Sequence, residues 1–346
     1  MQAFRSRRWL LAVLVAVLIS AVACGDDGGG GGDDDGTASG VPDTITIGYQ
    51  AIPNGDLVVK NEGWLEEAFP DTEIEWTLFD SGGSVNEAVV AGSIDVGLAG
   101  SSPVSRGLSQ PIAYQVPWIH DVIGAAEALV VNPESGAESV EDLAGLTIAT
   151  PLASTSHFSL LAALEAAGVD EADVEVIDAE PDDIYAAYTR GDIDGAYVWN
   201  PNLASIVADG GEILVTSADL AADGQTTYDL AVVSDEFADQ YPDAVQTWVD
   251  QQDRAVQLIQ DDPDAAAAAI GAELNLTADE VLPQLEGLIF LNAGEQAVPE
   301  YLGGGLADNL LASAEFNLDQ GEIGEVAPPE AYTDGVVETF ASAVGG

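Results

Sequence analysis

The chain has 346 residues, with 61 acidic against seven basic side chains and a formal charge of −54, a balance that excludes nucleic acid and anionic lipid surfaces as natural partners. Hydrophobic residues make up 47% of it and follow regular patterns, which excludes disorder for most of its length. Its single cysteine excludes an intrachain disulfide and a multi-cysteine metal site.

In chain order, Arg5, Arg7 and Arg8 come first, followed by an apolar stretch of 15 residues from Trp9 to Ala23. A membrane-spanning helix needs roughly 20 apolar residues, so residues 1–23 read as a secretory signal. Ala21, Val22 and Ala23 then place small side chains just before Cys24. That arrangement resembles a bacterial lipobox, in which the cysteine is diacylated and anchors the chain to the outer face of the cytoplasmic membrane. An ordinary signal with an incidental cysteine is the alternative. Residues 24–43 begin with a Gly/Asp tract that cannot form a core, and they are expected to act as a flexible tether. Cleavage before Cys24 removes three arginines and no acid, taking the formal charge from −54 to −57. A high-salt habitat, where such self-repulsion is screened, and selection for solubility both account for it.

From Thr44 the pattern alternates β-branched runs with amphipathic segments. Strands are expected at 44–49, 73–79, 94–99 and 111–117, with helices at 57–68, 84–91 and 103–109. This βαβ alternation predicts an open parallel sheet covered by helices. A second unit starts at EALVVN (127–132), with strands at 146–150, 174–178, 195–199 and 212–215 and helices at 156–167, 183–190 and 201–208. Another strand is expected at 229–234, and from there the chain reads as helical to Phe340. The expectation is an α/β protein of two doubly wound lobes, residues 44–126 plus 231–346 and residues 127–230. Two crossings make a hinge, and the ligand is expected in a cleft beyond the carboxyl ends of the strands.

The loops at those strand ends carry the candidate chemistry. They are Asp80-Ser81-Gly82-Gly83-Ser84, then Gly100-Ser101-Ser102-Pro103 with Ser102 as a helix cap, then Pro151–Ser154 leading into Thr155-Ser156-His157. Each brings hydroxyls and backbone N–H groups to a helix N-terminus, an arrangement that suits an anion. Ordinary capping explains any one of them; three in two lobes point to a site. Glu127 and Asp229 stand where the chain crosses between lobes and offer the opposite charge. Trp199 is a candidate apolar wall and Trp118 a weaker one, with a core tryptophan as the alternative for both. No GxSxG, P-loop, GxGxxG or HExxH is present, so no enzyme motif and no cofactor is read, and His120 and His157 fall in different predicted loops.

FDSGGS (79–84), GSSP (100–103), EALVV (127–131), TSHFSLLAAL (155–164), RGDIDGAYVW (190–199) and the Asp229 strand occur in that order. Together they resemble the aliphatic-sulfonate and nitrate-type binding proteins of ABC importers, the taurine-binding kind above all, over roughly residues 44–340. The resemblance implies the type II periplasmic-binding-protein fold and, as partners, a permease and an ATPase. It implies that Asp229, helped by Glu127, pairs with a taurine ammonium, that the GSSP and STSH loops hold a sulfonate, and that Gln50 sits in the cleft. Asn200 departs from the small apolar residue usual before Pro201, and the loop Ala51–Asp56 differs, with Pro53-Asn54-Gly55 read as a turn. The alternatives are a receptor for other alkanesulfonates, a chemosensory module, or an enzyme on the same scaffold like the pyrimidine-synthesis proteins of thiamine metabolism.

Overall fold

The computed structural model describes residues 40–345, so the expected signal, Cys24 and most of the tether lie outside the described residues. The strands are β1 (Thr44–Tyr49), β2 (Glu73–Leu78), β3 (Val96–Gly100), β4 (Tyr114–Ile123), β5 (Glu127–Val131) and β6 (Thr147–Thr150), followed by β7 (Glu175–Asp178), β8 (Gly195–Trp199), β9 (Glu212–Thr216), β10 (Tyr228–Ser234) and β11 (Leu288–Ile289). They form one sheet of order β11-β4-β10-β3-β1-β2 and another of order β7-β6-β8-β5-β9. The chain passes to the second sheet between β4 and β5 and returns between β9 and β10, giving the two-lobed α/β architecture expected.

The sheets are mixed rather than purely parallel. β1 pairs in parallel with β2 and β3, and β6 with β7 and β8. β10 is antiparallel to β3 and β4, and β5 to β8 and β9. A strand that arrives from the other lobe starts at the cleft and must run away from it, which reverses its direction. Register makes this concrete: Asp229, the second residue of β10, stands opposite Gly100, the last residue of β3, and Glu127 opens β5 opposite Trp199, the last residue of β8. Residues 228–230, assigned to the second lobe from the sequence, already pair with β3 and β4 and belong to the first sheet.

Period-two packing holds the second sheet between two cores. Leu129, Val131 and Tyr197 enter one, while Ala128, Val130, Ala196 and Val198 enter the other. Burying each Leu or Val of this kind contributes ~1.5–3 kcal/mol. A larger core backs the first sheet and contains Trp118, which is fully buried and forms no part of the cleft wall.

The helices that matter for the cleft are α1 (Gly55–Glu62), α2 (Trp64–Ala68), α3 (Gly82–Val90), α4 (Ser101–Ser109) and α5 (Thr155–Ala167). The single helix expected over 57–68 is broken by Gly63, which adopts the left-handed φ of 66° that glycine permits. Pro53-Asn54-Gly55 is a helix start rather than a turn, with the Asn54 side chain accepting from the Asp56 N–H. β4 runs six residues beyond its expected end at 117. Pro117 falls at an irregularity where the register of β4 and β10 shifts, a place where a strand tolerates proline. His120 therefore lies in β4 and His157 in α5, not in loops.

Candidate functional site

A cavity opens where the carboxyl ends of β1, β3 and β8 meet the first residues of β5 and β10. It encloses ≈ 450 Å³ of space not filled by protein atoms, its open mouth included. Three helix starts line it: Gly82 opens α3, Gly100 precedes α4, and Ser154 and Thr155 begin α5. Neither α3 nor α4 has a side-chain cap, so their first-turn N–H groups lack the partner that ordinary capping would supply. At α5 the Ser154 hydroxyl does accept, from the His157 N–H. Close approach explains the glycines. A Cβ on Gly100 would lie 2.6 Å from the Thr155 methyl of the other lobe, and one on Gly82 would lie 2.8 Å from Pro103.

The carboxyl groups at this cavity differ sharply. Glu127 is buried and accepts from four hydroxyls: Thr155 (2.6 Å) and Ser156 (2.9 Å) on Oε2, Ser217 (2.7 Å) and Ser159 (3.3 Å) on Oε1. Burial pushes its pKa up, while those four donors pull it back down. Asp229 lines the same cavity, and burial followed by the nearby Glu127 charge pushes it up to about 8. Directly across the ladder from Asp229 stands Asp121, fully buried, with no hydrogen-bond partner on either carboxyl oxygen. Burial, then Asp229 and Glu127, hold it well above the usual carboxylate range.

Of the residues singled out from the sequence, Gln50, Glu127, Thr155, Trp199 and Asp229 line the cavity. Gln50 is anchored through Nε2 on the Leu98 carbonyl at 2.9 Å. The others do not reach it. Asp80 is exposed and lines a separate outer depression with Glu180, Asp182 and Asp183. The helix begins two residues earlier than expected, at Ser101 with Gly100 as its cap, so Ser101 and Ser102 point into packing. The Ser101 hydroxyl accepts from the Tyr228 N–H, and Ser102 meets the Asn317 amide. The Ser156 hydroxyl is engaged by Glu127. His157 turns toward Glu322, 3.7 Å away, and burial lowers its pKa, with Glu322 opposing and Arg106 adding to that shift.

Sequence reasoning missed Asp121 altogether. It also missed Gly82, Gly100 and Ser154, which lie in the very loops it chose, one or two positions from the hydroxyl residues it preferred. Asn200, noted only as a departure, lines the wall with Ile52, Pro53 and Leu288. The wall carries hydroxyl, amide, carboxyl and apolar groups, without a thiol, imidazole or amine. It can therefore grip an oxyanion with N–H groups and a cation with carboxyls.

The family model described as NMT1/THI5 like matches residues 55–266. The chain is 31% identical over 289 residues to the taurine-binding periplasmic protein of Escherichia coli K12, covering 82% of this chain and 88% of that one. It is 30% identical over 262 residues to a putative aliphatic sulfonates-binding protein of Bacillus subtilis 168, covering 74% of this chain and 76% of that one. Among solved structures, the alkanesulfonate-binding protein of Xanthomonas axonopodis pv. citri bound to MOPS superposes with a TM-score of 0.72 at 24% identity, covering 84% of this chain and 98% of that one.

Proposed function

This chain belongs to the NMT1/THI5-like family, and from that premise and the cavity we propose that it is an extracytoplasmic receptor of an ABC importer that binds taurine. One observation carries the reading: the uncapped starts of α3 and α4 share a cavity with Asp229, a buried carboxyl that lines the wall. Sulfonate oxygens would accept from the first-turn N–H groups, where the helix dipole favours negative charge. The ammonium would donate to Asp229, with Glu127 behind it. Hydrogen bonds to charged groups of this kind contribute ~1.5–3 kcal/mol each. A zwitterion uses both sets of partners, whereas a plain alkanesulfonate leaves the carboxyls without a cation. A receptor for alkanesulfonates in general is the second reading, supported by the names of the Bacillus and Xanthomonas relatives. The wall lacks the thiol and imidazole that an enzyme related to pyrimidine synthesis would use, and this favours a receptor over catalysis.

Export, an anchor through Cys24 and delivery to a permease and ATPase complete the proposal. They rest on the sequence and on the relatives, and fractionation of Cys24→Ser between washed membranes and supernatant checks the anchor. A thermal-shift panel of taurine, ethanesulfonate and amino acids tests the ligand, with taurine expected to give the largest rise. A larger rise with ethanesulfonate would favour the second reading.

A further inference from the structure

Beside Glu127 and Asp229, the two carboxyls that line the cavity, a third is buried outside its lining. Asp121 stands opposite Asp229 in register, and Ile123, two residues on and so on the same face of β4, lines the cavity. Neither oxygen of Asp121 has a partner, and the Thr155, Ser156, Ser159 and Ser217 hydroxyls are engaged by Glu127. The surrounding elements bring no compensating cation. β11 offers Leu288 and Ile289 to β4, β3 offers Ala99 and Gly100 to β10, and β5 offers Glu127. Within β10 itself, Tyr228 has a hydroxyl that burial pushes up to about 12. His120, the neighbour of Asp121 in β4, packs against Trp248 and lies 3.6 Å from Asp56. An ionised carboxylate with no donor and no cation is strongly disfavoured in such a dry site. Three acids this close cannot all ionise, and a monocation compensates only one.

Resting on the reading that a ligand ammonium meets Asp229, we propose that Asp121 keeps its proton in both free and bound protein, while Asp229 gives up its own proton in exchange for the cationic group. In the bound state Asp229 is a carboxylate facing the ammonium, and the displaced proton leaves for solvent through the cavity mouth. Asp121, still neutral, adds no second negative charge beside the new carboxylate. The upward shifts of both groups agree with this assignment. The exchange also bears on specificity. Taurine should bind more tightly as pH rises toward 8, because Asp229 must be ionised to receive it. A plain sulfonate should bind less tightly over the same range, because the wall becomes more negative.

Infrared spectroscopy and calorimetry test it on the mature protein, with a pH series that stops before the taurine amine loses its proton. At pH 7 the free protein should show a protonated carboxyl band from each of Asp121 and Asp229, identified by its loss in the corresponding Asn variant. Taurine should remove one, with close to one proton released per ligand, and affinity should rise up to tenfold per unit between pH 6 and 8. The remaining band should be missing from Asp121→Asn, whose taurine affinity at pH 7 should stay within about threefold of the parent, because a neutral amide replaces a neutral acid. Asp229→Asn should lose the other band. A band count unchanged in Asp121→Asn overturns the proposal, as does a loss of taurine affinity above about tenfold in that variant, which would mean an ionised Asp121. Taurine binding without proton release also overturns it. Absence of taurine binding would instead defeat the ligand reading, and the two bands of the free protein would still decide the state of Asp121.

Discussion

The two walls of the cavity treat the same functional group in opposite ways. On the second lobe, Glu127 is buried with four hydroxyls arrayed on its two oxygens. On the first lobe, Asp121 is buried with no partner on either oxygen, and Asp229 beside it faces the cavity. The difference teaches that burial alone does not mark a binding group. A carboxyl already saturated by the protein organises its own lobe, here by tying α5 and Ser217 to the start of β5. A carboxyl that lines the cavity without protein donors, as Asp229 does, is free to meet a ligand.

From that contrast, removing Glu127 should hurt folding and removing Asp229 should hurt binding. Glu127→Ala leaves four buried hydroxyls without their acceptor and should destabilise the ligand-free protein by about 3 kcal/mol in urea unfolding. A loss below ~1 kcal/mol would mean that the hydroxyls find other partners and the two walls are equivalent. Asp229→Asn should weaken taurine by at least ~1.5 kcal/mol and leave ethanesulfonate nearly unchanged, because only taurine brings an ammonium. Equal losses for both ligands would place Asp229 with Glu127 as an organising group. Stability should move the other way. A carboxyl whose pKa is raised to about 8 stabilises the fold fully below its unfolded value, and that contribution is lost as pH rises through 8. Asp229→Asn should therefore gain stability relative to the parent between pH 4 and pH 8.

The contact between lobes gives a smaller effect. Gly100→Ala places a Cβ 2.6 Å from the Thr155 methyl and should cost about 1 kcal/mol of ligand affinity by holding the lobes apart. Thr155→Ser removes that methyl and keeps the hydroxyl for Glu127, so the double variant should recover most of the loss. Recovery would be absent if Gly100 served only the backbone of its own lobe.

Much of the architecture was legible in residues 44–234 because local pattern and tertiary burial agree there. EALVV and GAYVW form the strands expected, and each alternates between two cores. Glu127 and Asp229 were reachable from position alone, since the starts of crossing strands must lie at the cleft. Asp121 was not. Its importance lies in cross-strand register with Asp229, 108 positions away in sequence, and the strand expected over 111–117 stops short of it. Ser101 and Ser102 fall outside the cavity lining for a smaller reason. A helix boundary displaced by two residues turns a hydroxyl from the cavity into the packing, and sequence signals do not fix helix ends that closely.

The central claim is that the site is built for a ligand bearing both charges, and affinity measured across ionic strength tests it most directly. The chain carries a formal −54, so a net anion approaches against repulsion, most strongly at low salt, where the Debye length reaches ~30 Å at 0.01 M. Taurine has no net charge, and its affinity should vary little. Calorimetry at pH 8 with taurine and with ethanesulfonate, from low to high salt, should show taurine binding more tightly throughout while ethanesulfonate gains on it as salt rises. Tighter binding of ethanesulfonate at every salt concentration would contradict the account and leave a receptor for sulfonates in which the carboxyl wall takes no part in recognition.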